Sequence, residues 1–225
     1  MLTEMKYEYI IFDFDGVVVD SKEVKEDAYV EVFRNFGAKY SSAIRELYRD
    51  NVGKPRELVI KTVLSCVIGK ECSSRQIAAL SDAFSTIAFT NVIKKGPIPG
   101  LSAFLGRWQG TVQYVIVSLS PVAEVVAFLE ACSLHDYFLD VKGGPANKAH
   151  NITTLLTQYD VEPLHVLHIG DTVADYAISR NIGCKFIRMR SPGATWGEQN
   201  GVDVDAIDGY AELDKWLEAS MRRGL

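Results

Sequence analysis

The 225-residue sequence lacks the features of several large classes of protein. It has no long basic run and a formal net charge of -5, which argues against nucleic acid as its main partner. No apolar run approaches the length of a membrane-spanning helix, and the start, Met1 to Lys6, lacks the segments of a signal peptide. These absences predict a cytoplasmic protein that does not act at a membrane.

Cysteine is scarce and scattered. The four residues, Cys66, Cys72, Cys132 and Cys184, form no Cys-x-x-Cys pair and lie in apolar or helix-like segments. We therefore expect buried free thiols rather than disulfides or zinc ligands. The sequence is 48% hydrophobic and 24% charged, which is typical of a globular protein with enough apolar material for a core.

Short apolar runs alternate with amphipathic segments through much of the chain. The runs predict strands at residues 9–12, 112–117, 164–169 and 185–189. Helical spacing of apolar residues between them predicts helices at residues 122–132, 148–159 and 174–181. This alternation is typical of an α/β fold with a mostly parallel sheet covered by helices.

One stretch, from about residue 22 to residue 95, interrupts this alternation. Its apolar residues, such as Ala28, Val32 and Phe36, recur at helical spacing. The breaker-rich segment Lys95-Gly-Pro-Ile-Pro-Gly100 predicts where the stretch ends. We therefore expect a core domain of residues 1–20 and 96–225 and an inserted helical domain of residues 21–95, which is a candidate lid.

Two carboxylates follow the first predicted strand, in the segment Asp13-Phe14-Asp15-Gly16. Alternate residues at the end of a strand share a face, and open α/β sheets bind ligands at this end of their strands. One carboxylate can act as a nucleophile while the other transfers protons. A polar turn that closes the strand is the alternative, because Asp and Gly are common in turns.

Polar residues also follow the later strands. Ser118 lies between a strand and a helix, where backbone amides favour an anion, although serine before proline is also a common helix cap. Lys148 opens a helix after a glycine-rich turn, and taken alone it is better explained as a solvated surface lysine. Asp171 and Asp175 would share a helical face if their helix begins early, and helix capping is the alternative.

The electrostatics of these strand ends predict a cation. If the ends meet at one edge of the sheet, four carboxylates converge, those of Asp13, Asp15, Asp171 and Asp175. Such a cluster is self-repelling unless positive charge is present. A divalent ion with oxygen ligands relieves the repulsion, and Mg²⁺ suits a site that also holds phosphate. Lys148 supplies a second positive charge, so the pattern predicts a phosphate-handling metal site.

These motifs occur in the order found in the haloacid dehalogenase superfamily, which the chain resembles over essentially its whole length. They are Asp-x-Asp-Gly-x-x-x-Asp-Ser from Asp13, the strand ending in Ser118, Lys148, and Gly-Asp-x-x-x-Asp from Gly170. The resemblance implies a Rossmann-like core with an inserted helical cap, as in the phosphoglycolate phosphatase and β-phosphoglucomutase branch. It also implies a closing strand at residues 205–208 and a closing helix at residues 210–217.

The resemblance further implies catalytic roles. Asp13 would be the nucleophile that forms an aspartyl-phosphate, and Asp15 would be the general acid and base. Mg²⁺ would be held by the carboxylates of Asp13 and Asp171 and by the backbone carbonyl of Asp15. Asp175 would orient this shell rather than bind the metal.

Phosphate binding is implied in the same way. Ser118 and Lys148 would hold the phosphoryl oxygens, and backbone amides near Gly16 and Leu119 would add donors. In the inserted domain, Lys54 or Arg56 of the segment Gly53-Lys54-Pro55-Arg56 would contact a distal anionic group. A turn with solvated charges explains that segment equally well. His135 and His168 fit no implied role, and we expect them to be packing or surface residues.

Aspartate at position 15 is shared, by resemblance, with phosphatases and phosphomutases and not with dehalogenases. The leading prediction is therefore a Mg²⁺-dependent phosphatase that acts on a small phosphorylated metabolite, as a monomer or homodimer. The alternative is a sugar phosphomutase of the β-phosphoglucomutase type. A catalytically silent binding module is a third and weaker interpretation, because every expected catalytic position is present.

Overall fold

A parallel β-sheet is the framework that positions the predicted motifs. The computed structural model describes residues 7–52, 54–190, 196 and 204–222. Its strands are β1 (Tyr9–Phe12), β2 (Gln113–Pro121), β3 (Phe138–Gly144), β4 (Val166–Gly170), β5 (Lys185–Met189) and β6 (Ala206–Ile207). They pair in parallel in the order β3-β2-β1-β4-β5-β6. The predicted α/β class is confirmed.

The strand order reverses direction at β1. From β1 the sheet grows to one side through β2 and β3, and then to the other side through β4, β5 and β6. Phe12, the last residue of β1, lies opposite Ile116 of β2 and Ile169 of β4. Ligands bind where the direction of an open α/β sheet reverses, so the residues after these three strands are placed to form a site.

Among the described residues the chain forms nine α-helices. They are α1 (Lys22–Val32), α2 (Ser41–Asp50), α3 (Arg56–Thr62), α4 (Ser74–Lys95), α5 (Leu101–Trp108), α6 (Val122–Ala131), α7 (Lys148–Tyr159), α8 (Val173–Ile182) and α9 (Tyr210–Arg222). A π-helical segment, Val63–Ile68, follows α3. None of the helices in the described ranges is long and apolar enough to cross a membrane. The cytoplasmic location stays a prediction.

The chain divides into two units. The core unit comprises Met1–Asp20 and Gly96–Leu225, and the helical unit comprises Ser21–Lys95. Within the helical unit, the ring of Tyr29 lies 4.3 Å from that of Phe84 and 5.0 Å from that of Tyr48, measured between centroids. This aromatic contact joins α1, α2 and α4 into a separate apolar cluster. That the helical unit acts as a cap stays a prediction.

Several expectations from the sequence need correction. The edge strand β3 and helix α5 were not predicted, and β2 continues to Pro121 rather than ending at residue 117. β3 mixes polar residues with two glycines, because an edge strand is only partly buried, and so it lacks the apolar run of a central strand. All four cysteines are free, but Cys66 is exposed and only Cys184 is buried, so the expectation of buried thiols was wrong for the others.

Phe12 is the centre of the core-unit packing, and its truncation tests the fold. Its buried ring contacts four other aromatic rings, those of Phe104, Tyr114, Phe138 and Tyr210. Phe12→Ala should lower the free energy of unfolding by about 3 to 5 kcal/mol, because it removes buried surface and leaves a cavity.

Urea denaturation of both the wild type and the variant measures this loss. Leu164→Ala is the control, since Leu164 is 59% exposed, and it should change the free energy of unfolding by less than about 0.5 kcal/mol. Equal losses in the two variants would contradict the assignment of Phe12 to the centre of the core.

Candidate active site

Asp13 is the first residue after β1 and lies buried at the carboxyl end of the sheet. Its backbone N–H donates to the carbonyl of Ile169 at 2.9 Å, which continues the pairing with β4. The N–H of Phe14 donates to Oδ1 of Asp13 at 2.7 Å, and Nζ of Lys148 lies 2.6 Å from Oδ2. Both carboxylate oxygens are therefore held in fixed directions.

Lys148 is a buried residue at the first position of α7. The side chain of Asn147 caps this helix by accepting from the N–H of His150 at 2.8 Å. Nζ of Lys148 donates to Oδ1 of Asp175 at 2.6 Å as well as contacting Asp13. Burial alone would lower the pKa of Lys148, but the carboxylates of Asp13 and Asp175 outweigh it and raise that pKa. The alternative of a solvated surface lysine was wrong.

Asp175 both caps α8 and pairs with Lys148. The side chain and N–H of Thr172 donate to Oδ2 of Asp175 at 2.5 and 3.2 Å, and the N–H of Asp175 donates to Thr172 Oγ1 at 3.2 Å. This reciprocal arrangement is a capping box. Because α8 begins at Val173, Asp171 precedes the helix, and the expected shared helical face of Asp171 and Asp175 was wrong.

Gly16 brings the loop after β1 against Asp171. Its φ is +80°, and a Cβ placed there would lie 2.2 Å from Oδ2 of Asp171. Only glycine allows this backbone conformation and this approach. The N–H of Gly16 donates to the carbonyl of Val19 at 2.8 Å. That N–H is already used within the turn, and the structure shows a steric role for Gly16; donation to phosphate from backbone amides near Gly16 stays a prediction.

Three buried carboxylates lie close enough to hold one metal ion. One oxygen each from Asp13, Asp171 and Asp175 lies within 4.8 Å of the others. A donor set made of carboxylate oxygens suits a hard divalent cation such as Mg²⁺. Asp175 belongs to this cluster, although the resemblance implied only an orienting role for it.

The charges of the cluster also fit a cation. Burial raises the pKa of Asp13 well above its usual range, and the nearby charges of Asp175, Asp171 and Asp15 add to this, while Lys148 opposes it. Burial also acts to raise the pKa of Asp175, but Lys148 outweighs it and the pKa falls. The single ammonium group of Lys148 does not offset the charge of every carboxylate, and a divalent cation would supply the positive charge that the cluster lacks.

Ser118 and Ser120 lie on the same side of β2, because β2 continues to Pro121. Both serines are buried, whereas Leu119 between them is 37% exposed. The N–H of Ser120 donates to Oγ of Ser118 at 3.0 Å, and Oγ of Ser120 donates to Oδ2 of Asp15 at 2.9 Å. The cap of α6 is Pro121 with no side-chain hydrogen bond, so the helix-cap alternative for the serine before proline was wrong.

Sequence reasoning missed Ser120 as a residue of this site. The signal was available in the segment Ser118-Leu119-Ser120, where polar and apolar residues alternate at the spacing of a strand. The predicted strand ended one residue before Ser118, and so the shared face of the two serines was not recognised. The donor role of the Leu119 amide stays a prediction.

The predicted substrate contacts of the helical unit have partners within that unit. Nζ of Lys54 donates to Oδ1 of Asn51 at 2.7 Å. The guanidinium of Arg56 donates to Ser85 and lies 4.7 Å from the ring centroid of Phe84. Gly53 lies outside the described residues. A role for Lys54 or Arg56 in binding substrate stays a prediction.

His168 is buried in β4 behind Asp175, and His135 is exposed. Nδ1 of His168 lies 2.5 Å from Oγ of Ser179, which donates to the backbone carbonyl of Asp175 at 2.9 Å. Nε2 of His168 is buried without a hydrogen-bond partner in the described ranges. Burial lowers the pKa of His168 to about 4, so the imidazole is neutral at pH 7.

Most of this chain is similar in sequence to known hydrolases. The profile of the haloacid dehalogenase-like hydrolases matches residues 10–189. A phosphoglycolate phosphatase of Vibrio vulnificus is 26% identical over 216 residues, which cover 92% of each chain.

Solved structures share the fold. A predicted phosphoglycolate phosphatase of Haemophilus somnus superposes with a TM-score of 0.78 at 15% identity, over 95% of this chain and 99% of the other. A CbbY variant of Rhodobacter sphaeroides in complex with xylulose-1,5-bisphosphate gives a TM-score of 0.72 at 19% identity, over 92% and 96%. At these identities the structures show similarity of fold alone.

The pKa of His168 predicts a loss of stability in acid. The unfolded chain binds a proton near the ordinary value of 6.5, whereas the folded chain binds it only near pH 4. The unfolded state therefore gains protons first as the pH falls, and this one group should lower the free energy of unfolding by about 2 kcal/mol between pH 7 and pH 5.

His168→Phe should lack this contribution, because it keeps an aromatic ring beside Phe186 but removes the titration. Urea denaturation at pH 7 and pH 5 measures the difference, with the exposed His135→Phe as the control. If the free energy of unfolding of the wild type and of His168→Phe falls by the same amount between these two pH values, the assignment of a neutral buried imidazole to His168 is wrong.

Proposed function

The chain belongs to the haloacid dehalogenase-like hydrolase family, and we propose that it is a Mg²⁺-dependent phosphatase that hydrolyses a small phosphorylated metabolite. One observation carries the proposal. Asp13 is buried at the carboxyl end of β1, 2.6 Å from Lys148, with oxygens of Asp171 and Asp175 close by. The phosphoglycolate phosphatase relative and a probable phosphatase of Dickeya dadantii support the reaction class.

Asp13 is the proposed nucleophile. A carboxylate oxygen of Asp13 attacks phosphorus, and the bond between phosphorus and the leaving oxygen breaks to give an aspartyl-phosphate. Asp15 gives its proton to the leaving oxygen, and then takes a proton from the water that attacks phosphorus in the second step. That step breaks the bond between phosphorus and Asp13, releases orthophosphate and restores both carboxyl groups.

The residues around Asp13 hold the reacting group in place. Lys148 offsets the charge of the phosphoryl oxygens, and Asp175 and Asp13 fix the direction of its ammonium group. Ser118 and the amide of Leu119 are the further proposed donors to the phosphoryl group. Gly16 keeps Asp171 close to Asp13 by its lack of a side chain.

The proposed metal site uses the carboxylates of Asp13 and Asp171 and the backbone carbonyl of Asp15. Mg²⁺, when bound, supplies positive charge to the phosphoryl oxygens. Asp175 orients the site from its capping box. We further propose that the helical unit selects the substrate, with Lys54 or Arg56 contacting its distal anionic group. The names of the relatives make 2-phosphoglycolate the first substrate to test.

Replacement of the nucleophile tests the reaction. Asp13→Asn should lower the rate of phosphate release by at least about a thousandfold, because an amide neither attacks phosphorus well nor pairs with Lys148. Phosphate release is measured over a panel of 2-phosphoglycolate, sugar phosphates and 4-nitrophenyl phosphate. Asp136→Asn, at an exposed position, is the matched control and should keep full activity.

Two outcomes of this experiment contradict the proposal. If Asp13→Asn releases phosphate as fast as the wild type, Asp13 is not the nucleophile and the proposed mechanism is wrong. Interconversion of hexose phosphate isomers without net phosphate release identifies a phosphomutase instead.

Metal removal tests the cofactor. Dialysis against a chelator should reduce phosphate release to background, and added Mg²⁺ should restore it, because the carboxylate cluster needs a cation. Asp171→Asn should raise the Mg²⁺ concentration needed for half-maximal activity by more than the roughly 10- to 100-fold typical of residues that only orient ligands. Activity that survives complete metal removal rules out the metal role.

A further inference from the structure

The hydroxyl of Ser120 donates a hydrogen bond to Oδ2 of Asp15 at 2.9 Å. Ser120 is only 8% exposed and lies 105 residues from Asp15 in sequence. It belongs to β2, whereas Asp15 follows β1, and these strands pair directly. The contact therefore joins the two segments that follow the paired residues of β1 and β2, whose register ends at Phe12 and Ile116.

The backbone of Ser120 is held tightly in its place. Its N–H donates to Oγ of Ser118 at 3.0 Å. On the other side, a Cβ at Gly143 would lie 2.5 Å from the carbonyl oxygen of Ser120, and one at Gly144 would lie 2.8 Å from that of Leu119. The two glycines of β3 thus let its backbone lie directly against β2, and a short side chain on such a backbone has little freedom.

We propose that Ser120 is a positioning residue that fixes the carboxyl group of Asp15 for proton transfer. This inference rests on the proposed function, which gives Asp15 the transferable proton. The hydrogen bond from Ser120 to Oδ2 restrains rotation of the carboxyl group of Asp15. Fixing the carboxyl group in this way keeps the donor aligned with the leaving oxygen and lowers the reorganisation needed in the transition state.

Leaving-group dependence separates this role from a merely structural one. Phenyl phosphate and 4-nitrophenyl phosphate have similar shapes, but phenolate is the more basic leaving group and needs proton donation more. The ratio kcat/KM reports the steps up to formation of the aspartyl-phosphate, which is where Asp15 acts as an acid. A general loss of structure lowers kcat/KM for both compounds alike.

Ser120→Ala should lower kcat/KM for phenyl phosphate at least about tenfold more than for 4-nitrophenyl phosphate. Ser120→Thr, which keeps the hydroxyl, should restore the ratio of the two values. Ser220→Ala is the matched control, because Ser220 is a buried serine in α9. If Ser120→Ala does not fold, Ser120→Cys replaces it, since a thiol has similar size but is a weak donor.

Asp13→Asn is measured beside these variants with both compounds. If it abolishes release while Ser120→Ala leaves the ratio of the two kcat/KM values unchanged, the positioning role of Ser120 is wrong and the proposed function stands. The positioning role is also wrong if Ser120→Thr shows the full defect of Ser120→Ala. If Asp13→Asn keeps its activity, the proposed function is overturned and the role of Ser120 falls with it.

Discussion

The ion pairs of Lys148 with Asp13 and Asp175 are the interaction on which the site depends. All three side chains are buried, and both N···O distances are 2.6 Å. Burying an unpaired charge costs several kcal/mol, so none of these groups is tolerable there without the others. The pairs also join three segments that are distant in sequence: the end of β1, the start of α7 and the first turn of α8.

Close backbone packing makes room for this buried charge. Gly16 lies against the carboxylate of Asp171, and a Cβ at Gly170 would lie 2.6 Å from Cβ of Asp175. Each glycine lacks the Cβ atom that would displace an aspartate from the cluster. The carboxylates therefore stay close although they repel one another. The stability of the sheet and its turns offsets this unfavourable electrostatic free energy. A cation bound between the carboxylates would remove this repulsion, which favours cation binding.

The sequence predicted the central strands and charged residues at their ends, but it did not predict which side chains contact one another. β1 is a short apolar run that is largely buried, whereas the three buried apolar residues of β5 stand beside the charged Lys185 and Arg188. β3 is an edge strand whose polar residues and glycines resemble a loop. Asp175 has two roles in the structure, because Oδ2 accepts in the capping box while Oδ1 pairs with Lys148. The local sequence indicates only the first of these. Such combinations depend on contacts between distant segments, which no local pattern encodes.

The contrast between Asp13 and Asp15 follows from their different partners. Burial raises the pKa of Asp13, and the ammonium group of Lys148, 2.6 Å from Oδ2, opposes that rise. Asp15 receives a hydrogen bond from Ser120, whose neutral hydroxyl tolerates either protonation state of the carboxyl group. The proposed nucleophile must be ionised when it attacks, whereas the proposed general acid and base must gain and lose a proton in every cycle. Two aspartates separated by one residue thus have different side-chain partners, which come from α7 and β2 rather than from the segment that contains the aspartates.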